Sequence, residues 1–212
     1  MMRSDARRNR ELLLAAARQI FAEHGLDASM DEIARSSGVG NATLYRRFPT
    51  REALIEEVFG DMVAAFQGIA DRALEIEDPW RAVAWFMEEV FTLLARDRGL
   101  NDLMSTRFPG APALEAAKRD YYETAAVLIG RAQEAGVLRA DFAATDIVAL
   151  IWSLSRGIAA TATVAPDFWR RQLAFFLDGL RAEAARPLPR PPLTYEELDQ
   201  AMLHLRHTRR ST

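Results

Sequence analysis

Apolar residues recur at spacings of three and four along most of the chain, and no stretch alternates apolar and polar residues as a strand would. Residues 7–24 are typical, because Leu13, Ala17, Ile20 and Phe21 fall on one helical face. Half of the 212 residues are apolar, enough to bury a sizeable core. The sequence therefore predicts an all-α protein with short connections between consecutive helices.

Capping and breaking residues set the expected helix boundaries. Gly25 ends the first helix, and Ser29 with Glu32 forms a capping-box spacing for a second helix that closes on Gly38. A third helix is expected over residues 41–47, and a fourth begins after Thr50 with a stripe of Leu54, Val58, Met62 and Phe66. Five longer helices are expected over residues 79–96, 100–108, 113–136, 145–164 and 167–185, each bounded by Pro or Gly.

The C-terminal residues differ in composition from the rest. The segment RPLPRPPL holds four prolines in eight residues and predicts an extended linker. Thr194 and Glu197 follow it in capping-box spacing, which favours one last helix, either docked or mobile.

Several functional classes lack their signature residues. No cysteine occurs, which excludes disulfides and thiolate chemistry and favours the reducing cytoplasm. We expect no signal peptide and no membrane span, because the apolar stretches are broken by Ser and Arg. The three histidines, His24, His204 and His207, have no converging metal ligands, and no nucleophile elbow, P-loop or dinucleotide fingerprint occurs. We therefore expect no catalysis, no metal and no cofactor.

Charge is distributed unevenly around a net value of −3. Residues 1–51 hold nine arginines and six acidic residues, a net charge of +3, which leaves −6 for residues 52–212. An asymmetry of this kind either marks a nucleic-acid partner or belongs to a solvated surface.

Residues 30–47 combine two short helices joined by a tight turn containing Gly, a pattern typical of a helix-turn-helix. The predicted core of the motif is apolar and consists of Ile33, Ala34, Val39, Leu44 and Phe48. The remaining side chains of the second helix face outward; they are Asn41, Ala42, Thr43, Tyr45, Arg46 and Arg47. Arg pairs with guanine or phosphate, Asn with adenine, and a Thr methyl group with the thymine methyl group. The predicted partner is double-stranded DNA; a helical adaptor that binds only proteins remains the alternative.

The run ELLLAAARQIFAEHGLDASMDEIARSSGVGNATLYRRFPTREALIEEVF resembles the DNA-binding domain of the TetR family of transcriptional regulators. The matching features are Phe-x-Glu-x-Gly at residues 21–25, Gly-Val at 38–39, Thr-Leu-Tyr at 43–45, Phe-Pro at 48–49, and a basic residue at the start of the fourth helix. The resemblance implies a sequence-specific regulator, usually a repressor, that a small-molecule effector releases from a palindromic operator.

The resemblance also implies roles for single residues. Thr43 and Tyr45 contact the DNA backbone or nearby bases, and Arg51 grips a phosphate. Asn41, Ala42 and Arg46 occupy positions where operator choice is made, and Ser29 and Arg47 complete the predicted DNA-binding set. The chain departs from the family pattern at Gly40, usually Ser or Thr, and at Arg47, most often His. Arg3, Arg7, Arg8 and Arg10 form either an arm for the minor groove or a disordered solubilising segment.

The predicted organisation has three parts: a DNA-binding domain over residues 1–50, a helical effector-binding and dimerisation domain over 51–185, and a linker and tail over 186–212. The last two long helices predict a homodimer interface, since small residues allow close helix approach and aromatic residues fill it. The predicted interface residues are Gly157, Ala160, Thr161, Val164, Phe168, Trp169, Leu173 and Phe176. The alternative is that these helices only close the monomer core.

An effector pocket is expected where aromatic and Met side chains of four helices meet a few polar groups. The candidate residues are Trp85, Phe86, Glu89, Met104, Phe108, Tyr121, Trp152 and Arg156. Plain core packing is the alternative for each of them.

Overall fold

The structure, a computed structural model, describes the backbone of residues 2–210 and the side chains of residues 7–205. These residues form ten α-helices and no strand, which confirms the all-α prediction. The helices are α1 (Met2–His24), α2 (Met30–Ser37), α3 (Asn41–Arg47), α4 (Arg51–Glu75), α5 (Pro79–Arg96), α6 (Arg98–Ser105), α7 (Pro112–Glu134), α8 (Ala144–Thr161), α9 (Phe168–Leu180) and α10 (Tyr195–Arg210).

The predicted bounds of the sixth and ninth helices are wrong. The sixth begins at Arg98 instead of residue 100 because the Asp97 carboxylate accepts a hydrogen bond from Leu100 N at 2.8 Å and so caps it, and it ends at Ser105 instead of residue 108. The ninth ends at Leu180 instead of residue 185. There the chain turns extended, and Arg139 N donates to Leu180 O at 2.9 Å, so the end of α9 is tied to the turn after α7.

The caps of α2 confirm one half of the predicted capping box. Ser29 Oγ accepts a hydrogen bond from Asp31 N at 3.2 Å, but the Glu32 carboxylate lies 3.3 Å from His24 Nδ1 instead of reaching back. Gly38 ends the helix in the left-handed region, with φ of 68°, as predicted.

The longest helix, α4, runs without interruption from the predicted DNA-binding part into the regulatory part and packs most extensively against α7. Its buried face is centred on Ile55, Phe59 and Val63, and the predicted stripe residues Val58 and Met62 are only half-buried beside it. The two halves of the chain share this helix. The domain boundary at residue 50 stays a prediction.

The short helix α6 packs against the end of α1. Asp102 accepts a hydrogen bond from Leu26 N at 3.2 Å, and Arg18 forms an ion pair with Asp97 at 3.1 Å. Gly25 makes this contact possible, because its φ of 83° suits glycine and a Cβ there would overlap the Asp102 carboxylate. The N-terminal helices are thus held to the regulatory helices through side chains of α6.

The last helix, α10, is docked. Thr194 and Glu197 form the predicted reciprocal capping box, with Thr194 N donating to Glu197 at 2.8 Å and Glu197 N to Thr194 Oγ1 at 3.2 Å. Leu198 and Met202 are buried against the body of the protein, and Asp199 lies 3.4 Å from Arg107 Nη2. None of the described helices is both long and apolar enough to cross a membrane.

Replacement of Gly25 by Ala should destabilise the protein more than replacement of Gly38. Both glycines have positive φ, so each substitution costs about 1–2 kcal/mol of backbone strain. Only at Gly25 does the new methyl group also collide with Asp102, which adds roughly 1–3 kcal/mol as overpacking. Urea unfolding of both variants at one protein concentration measures the difference. Equal losses of stability would contradict the close approach of α6.

Candidate nucleic-acid interface

The motif of α2 and α3 is built on its predicted apolar core. The five core residues are each 7% exposed or less; they are Ile33, Ala34, Val39, Leu44 and Phe48. Ser37 fixes the turn between the helices, because its hydroxyl donates to Ala34 O at 2.8 Å and accepts from Val39 N at 3.2 Å. Leu44, fully buried, anchors α3, so the opposite face of this seven-residue helix is turned to solvent.

The outward face of α3 carries the predicted polar set. The exposed members are Asn41, Ala42, Tyr45, Arg46 and Arg47, and Thr43 is half-buried. Within the described part of the chain, no ion pair or hydrogen bond ties the side chain of Arg46 or Arg47 to the protein. Two guanidinium groups on a short protruding helix provide a surface that can reach phosphates or guanine edges in the major groove, which is about 12 Å wide.

Two other predicted DNA-binding residues form hydrogen bonds within the protein. Ser29 is exposed and caps α2. Arg51, the first residue of α4, is half-buried, and its Nη1 donates to Leu26 O at 2.9 Å and also to Ala28 O. Arg51 therefore fastens the turn between α1 and α2.

The comparisons with known proteins match both halves of the chain. The family described as bacterial regulatory proteins, tetR family, matches residues 13–58, and the SbtR-like transcriptional regulator C-terminal domain matches residues 78–182. A TetR transcriptional regulator from Streptomyces coelicolor is 30% identical, with 81% of this chain and 98% of that chain covered and a TM-score of 0.50. A TetR regulatory protein from Mycobacterium vanbaalenii is 36% identical over 85% of this chain and 99% of its own, with a TM-score of 0.49.

The chain belongs to the TetR family of transcriptional regulators. Among curated relatives, the regulator UidR of Escherichia coli strain K12 is 34% identical over 90 residues, or 42% of this chain and 38% of UidR. The chain thus matches little more than a third of the length of that relative. DNA binding through the helix-turn-helix is the common property of the family, whose members are generally not enzymes.

The N-terminal arginines of this TetR-family protein are not on a separate arm. Backbone from Met2 onward continues α1, in a stretch without Gly or Pro to break it. Arg7 and Arg8 are exposed, Arg10 forms an ion pair with Glu57 of α4, and the side chain of Arg3 lies outside the described residues. Helix α1 therefore carries Arg7, Arg8 and Arg10 within the predicted DNA-binding domain of residues 1–50.

The predicted dimer residues divide into two groups. Trp169 and Leu173 face the monomer core, with 2% and 1% of their surface exposed, and Trp169 stacks on Phe91. Their side chains are therefore part of the core of the monomer. The exposed or half-buried members are Gly157, Ala160, Thr161, Val164, Phe168 and Phe176. Phe175, 63% exposed, lies beside them and was missed because it falls outside the stripe of Trp169, Leu173 and Phe176, which recur at spacings of four and three.

The predicted effector-pocket residues do not share one environment. Four are buried in the close-packed core: Phe86, Met104, Phe108 and Tyr121. Trp85, Glu89 and Trp152 are half-buried, and Arg156 is exposed. Trp152 donates to Ser105 O at 3.0 Å, and Phe86 stacks on Tyr121 at 5.9 Å between ring centroids. These contacts are those of a packed core around α6.

A residue that the sequence analysis missed lies beneath α10. Lys118 is 2% exposed, and its ammonium group donates to Leu103 O at 3.0 Å, Thr106 O at 2.7 Å and Glu115 at 3.1 Å. Burial lowers the Lys118 pKa, while the charge of Glu115 opposes that shift. A lone lysine on α7 was the available signal, but two of its three partners, the carbonyls of Leu103 and Thr106, lie in and directly after α6.

Replacement of Arg51 by Ala should reduce the free energy of unfolding by about 1.5–3 kcal/mol, because it removes charged hydrogen bonds to two backbone carbonyls. Replacement of the exposed Arg47 by Ala is the matched control and should change stability by less than about 0.5 kcal/mol. Urea unfolding measures both values. A stability of the Arg51 variant equal to that of the control would show that the turn does not depend on this side chain.

Proposed function

We propose that this TetR-family protein is a cytoplasmic repressor that binds a palindromic operator as a homodimer and leaves it when a small-molecule effector binds. The observation that carries the proposal is the outward face of α3, where Arg46 and Arg47 stand exposed while Leu44 holds the helix in the core. In a helix-turn-helix, side chains of the second helix reach base edges in the major groove. Operator contact is accordingly assigned to Asn41, Ala42, Thr43, Tyr45, Arg46 and Arg47.

The dimer is supported by apolar surface on α9 and in the turn between α8 and α9. Val164 is 81% exposed, Phe175 is 63% exposed, and Phe168 and Phe176 are each just over 40% exposed. Exposed aromatic side chains grouped on one helix, with an exposed valine in the turn before it, are typical of a protein–protein interface. A second copy that contributes the same surface would close it with two-fold symmetry, and two reading helices would then meet half-sites about 34–36 Å apart.

The effector is supported by a cavity of about 240 Å³ between α7 and α10, lined by residues that include Arg107, Lys118, Tyr122, Leu198 and Met202. It is small beside typical ligand pockets of about 300–1,000 Å³, so a compact molecule suits it. An occupant that drew the Lys118 ammonium group away would release the carbonyls of Leu103 and Thr106. Those carbonyls lie in and directly after α6, the helix that holds the turn between α1 and α2.

A second polar group supports an effector in the regulatory half. The Tyr121 hydroxyl is fully buried and has no hydrogen-bond partner among the described residues, and burial raises its pKa. An unpaired buried hydroxyl costs about 1–3 kcal/mol, which a polar ligand atom would recover. Release from DNA would then be a population shift toward a conformation whose two reading helices no longer match successive grooves.

The purified protein should enrich an inverted repeat from a random pool of DNA duplexes at about 150 mM salt. In that motif, Arg46→Ala should relax the preference at one base pair of each half-site by about 1–3 kcal/mol. Arg72→Ala, an exposed arginine near the end of α4, is the control and should leave the motif unchanged. Competition binding to operators with single base-pair changes measures the preference.

The selection should be repeated after the protein has been refolded from denaturant, which removes any effector that co-purified. Enrichment only after refolding would support release by a ligand. The absence of any enriched sequence from folded protein in both selections would overturn the proposed function.

Phe176→Glu should weaken the dimer, because each interface would bury two unpaired carboxylates. The expected increase in the dimer dissociation constant is roughly 100-fold or more, from about 3 kcal/mol of penalty. Val127→Glu, on α7 and 61% exposed, adds the same charge away from α8 and α9 and should leave the dissociation constant unchanged. Sedimentation velocity over a concentration series measures both. An unchanged dimer in the Phe176 variant would place the interface elsewhere.

A further inference from the structure

One hydrogen bond crosses the surface between α2 and α3. Asn41 Nδ2, on the first residue of α3, donates to Asp31 Oδ1, on the second residue of α2, at 2.8 Å. Both side chains are exposed, and they border the shallow open cleft between the two helices. The bond thus lies on the same surface as the exposed residues of α3 to which DNA contact is assigned.

The partner of Asn41 determines which end of its amide group remains available. An ionised carboxylate only accepts hydrogen bonds, so the NH₂ end of the amide must face Asp31. Rotation of the amide by 180° would bring its carbonyl oxygen against the carboxylate, and the bond would become a repulsion. The Asn41 carbonyl oxygen, Oδ1, is therefore kept on the side away from Asp31, and no donor within the described part of the chain binds it.

An acceptor that is fixed in this way distinguishes two kinds of bases. In the major groove adenine and cytosine present exocyclic amino groups, which donate, whereas guanine and thymine present O6 and O4, which accept. An asparagine whose amide rotates freely can offer its NH₂ group to guanine or thymine as readily as its oxygen to adenine or cytosine. An asparagine whose NH₂ group is held by a carboxylate offers only its oxygen, and so it favours adenine and cytosine.

We propose that Asp31 is a specificity-determining positioning residue, which fixes the Asn41 amide so that this position of the operator is read as adenine or cytosine. The proposal rests on the proposed function, because it assumes that α3 reads DNA. Asp31 touches no base itself; it acts through Asn41. It also places a negative charge near the DNA, so the same residue lowers affinity for every sequence while it sharpens the choice at one base pair.

The test compares four variants on the operator selected by the wild-type protein. Asn41→Ala identifies the base pair that Asn41 reads. Asp31→Ala removes both the charge and the acceptor, whereas Asp31→Asn removes the charge and keeps an oxygen that can still accept from Asn41 Nδ2. Glu32→Ala is the matched control, because Glu32 is the neighbouring acidic residue in the first turn of α2 but lies against His24.

Affinity for operators that carry each of the four bases at the identified position should give the following pattern. The wild-type protein should favour adenine or cytosine over guanine and thymine by roughly tenfold, within the range expected of a base-edge contact. Asp31→Ala should reduce that ratio to less than about twofold and raise the affinity for all four operators. Asp31→Asn should raise the affinity but also reduce the ratio, because an uncharged amide at residue 31 can turn together with that of Asn41. Glu32→Ala should raise the affinity while it keeps the ratio.

Two results would overturn the proposal. In the first, Asp31→Ala keeps the wild-type ratio, or the wild-type protein favours guanine or thymine at the identified position. In the second, Glu32→Ala loses the ratio as completely as Asp31→Ala, which would assign the effect to the charge on α2 and not to the bond with Asn41. Melting temperatures check that each variant is folded. If the wild-type protein enriches no operator at all, the proposed function fails. If it enriches an operator but Asp31→Ala leaves the base preference unchanged, only the role of Asp31 is overturned.

Discussion

The contact between α6 and the turn after α1 is the constraint on which the rest of the structure depends. It joins a carboxylate of Asp102 to the backbone of Leu26, and it needs the left-handed backbone of Gly25 to let α6 approach. The charged pair of Arg18 and Asp97 lies beside it. Since the same turn leads directly into α2, and Arg51 holds its carbonyls from the other side, the position of the helix-turn-helix follows the position of α6.

The opposite side of α6 is bound as firmly to the regulatory helices. Ser155 of α8 donates to Asn101 at 2.7 Å, Trp152 donates to Ser105 O, and Lys118 of α7 donates to Leu103 O. A displacement of α6 therefore requires hydrogen bonds to be exchanged at both of its faces. Contacts of this kind favour two discrete arrangements over continuous sliding, which is the property that a ligand-controlled DNA-binding protein needs.

The sequence allowed accurate prediction where the signals are local. Ser29, Gly38 and Thr50 act within four residues of the backbone groups that they cap, so both ends of α2 and the start of α4 followed from spacing alone. The core of the helix-turn-helix followed for the same reason. The bond of Asn41 to Asp31 spans ten residues, and that of Arg51 to Leu26 spans twenty-five. The geometry of these pairs depends on how the helices cross, which periodicity does not encode.

The same limit explains the errors in the regulatory half. The aromatic residues of α9 satisfy a helical stripe whether the stripe faces the core or a partner. The choice is made by what lies opposite: Phe91 covers Trp169, whereas Phe175 is 63% exposed and lies against the guanidinium group of Arg171. A capping box likewise predicted α10 but not its docking site. Leu198 and Met202 each contribute about 1.5–3 kcal/mol by burial, against the entropy of ordering a helix behind a proline-rich linker. Among the described residues of α10 these two side chains are the buried ones, and they hold the helix over the cavity beside Lys118.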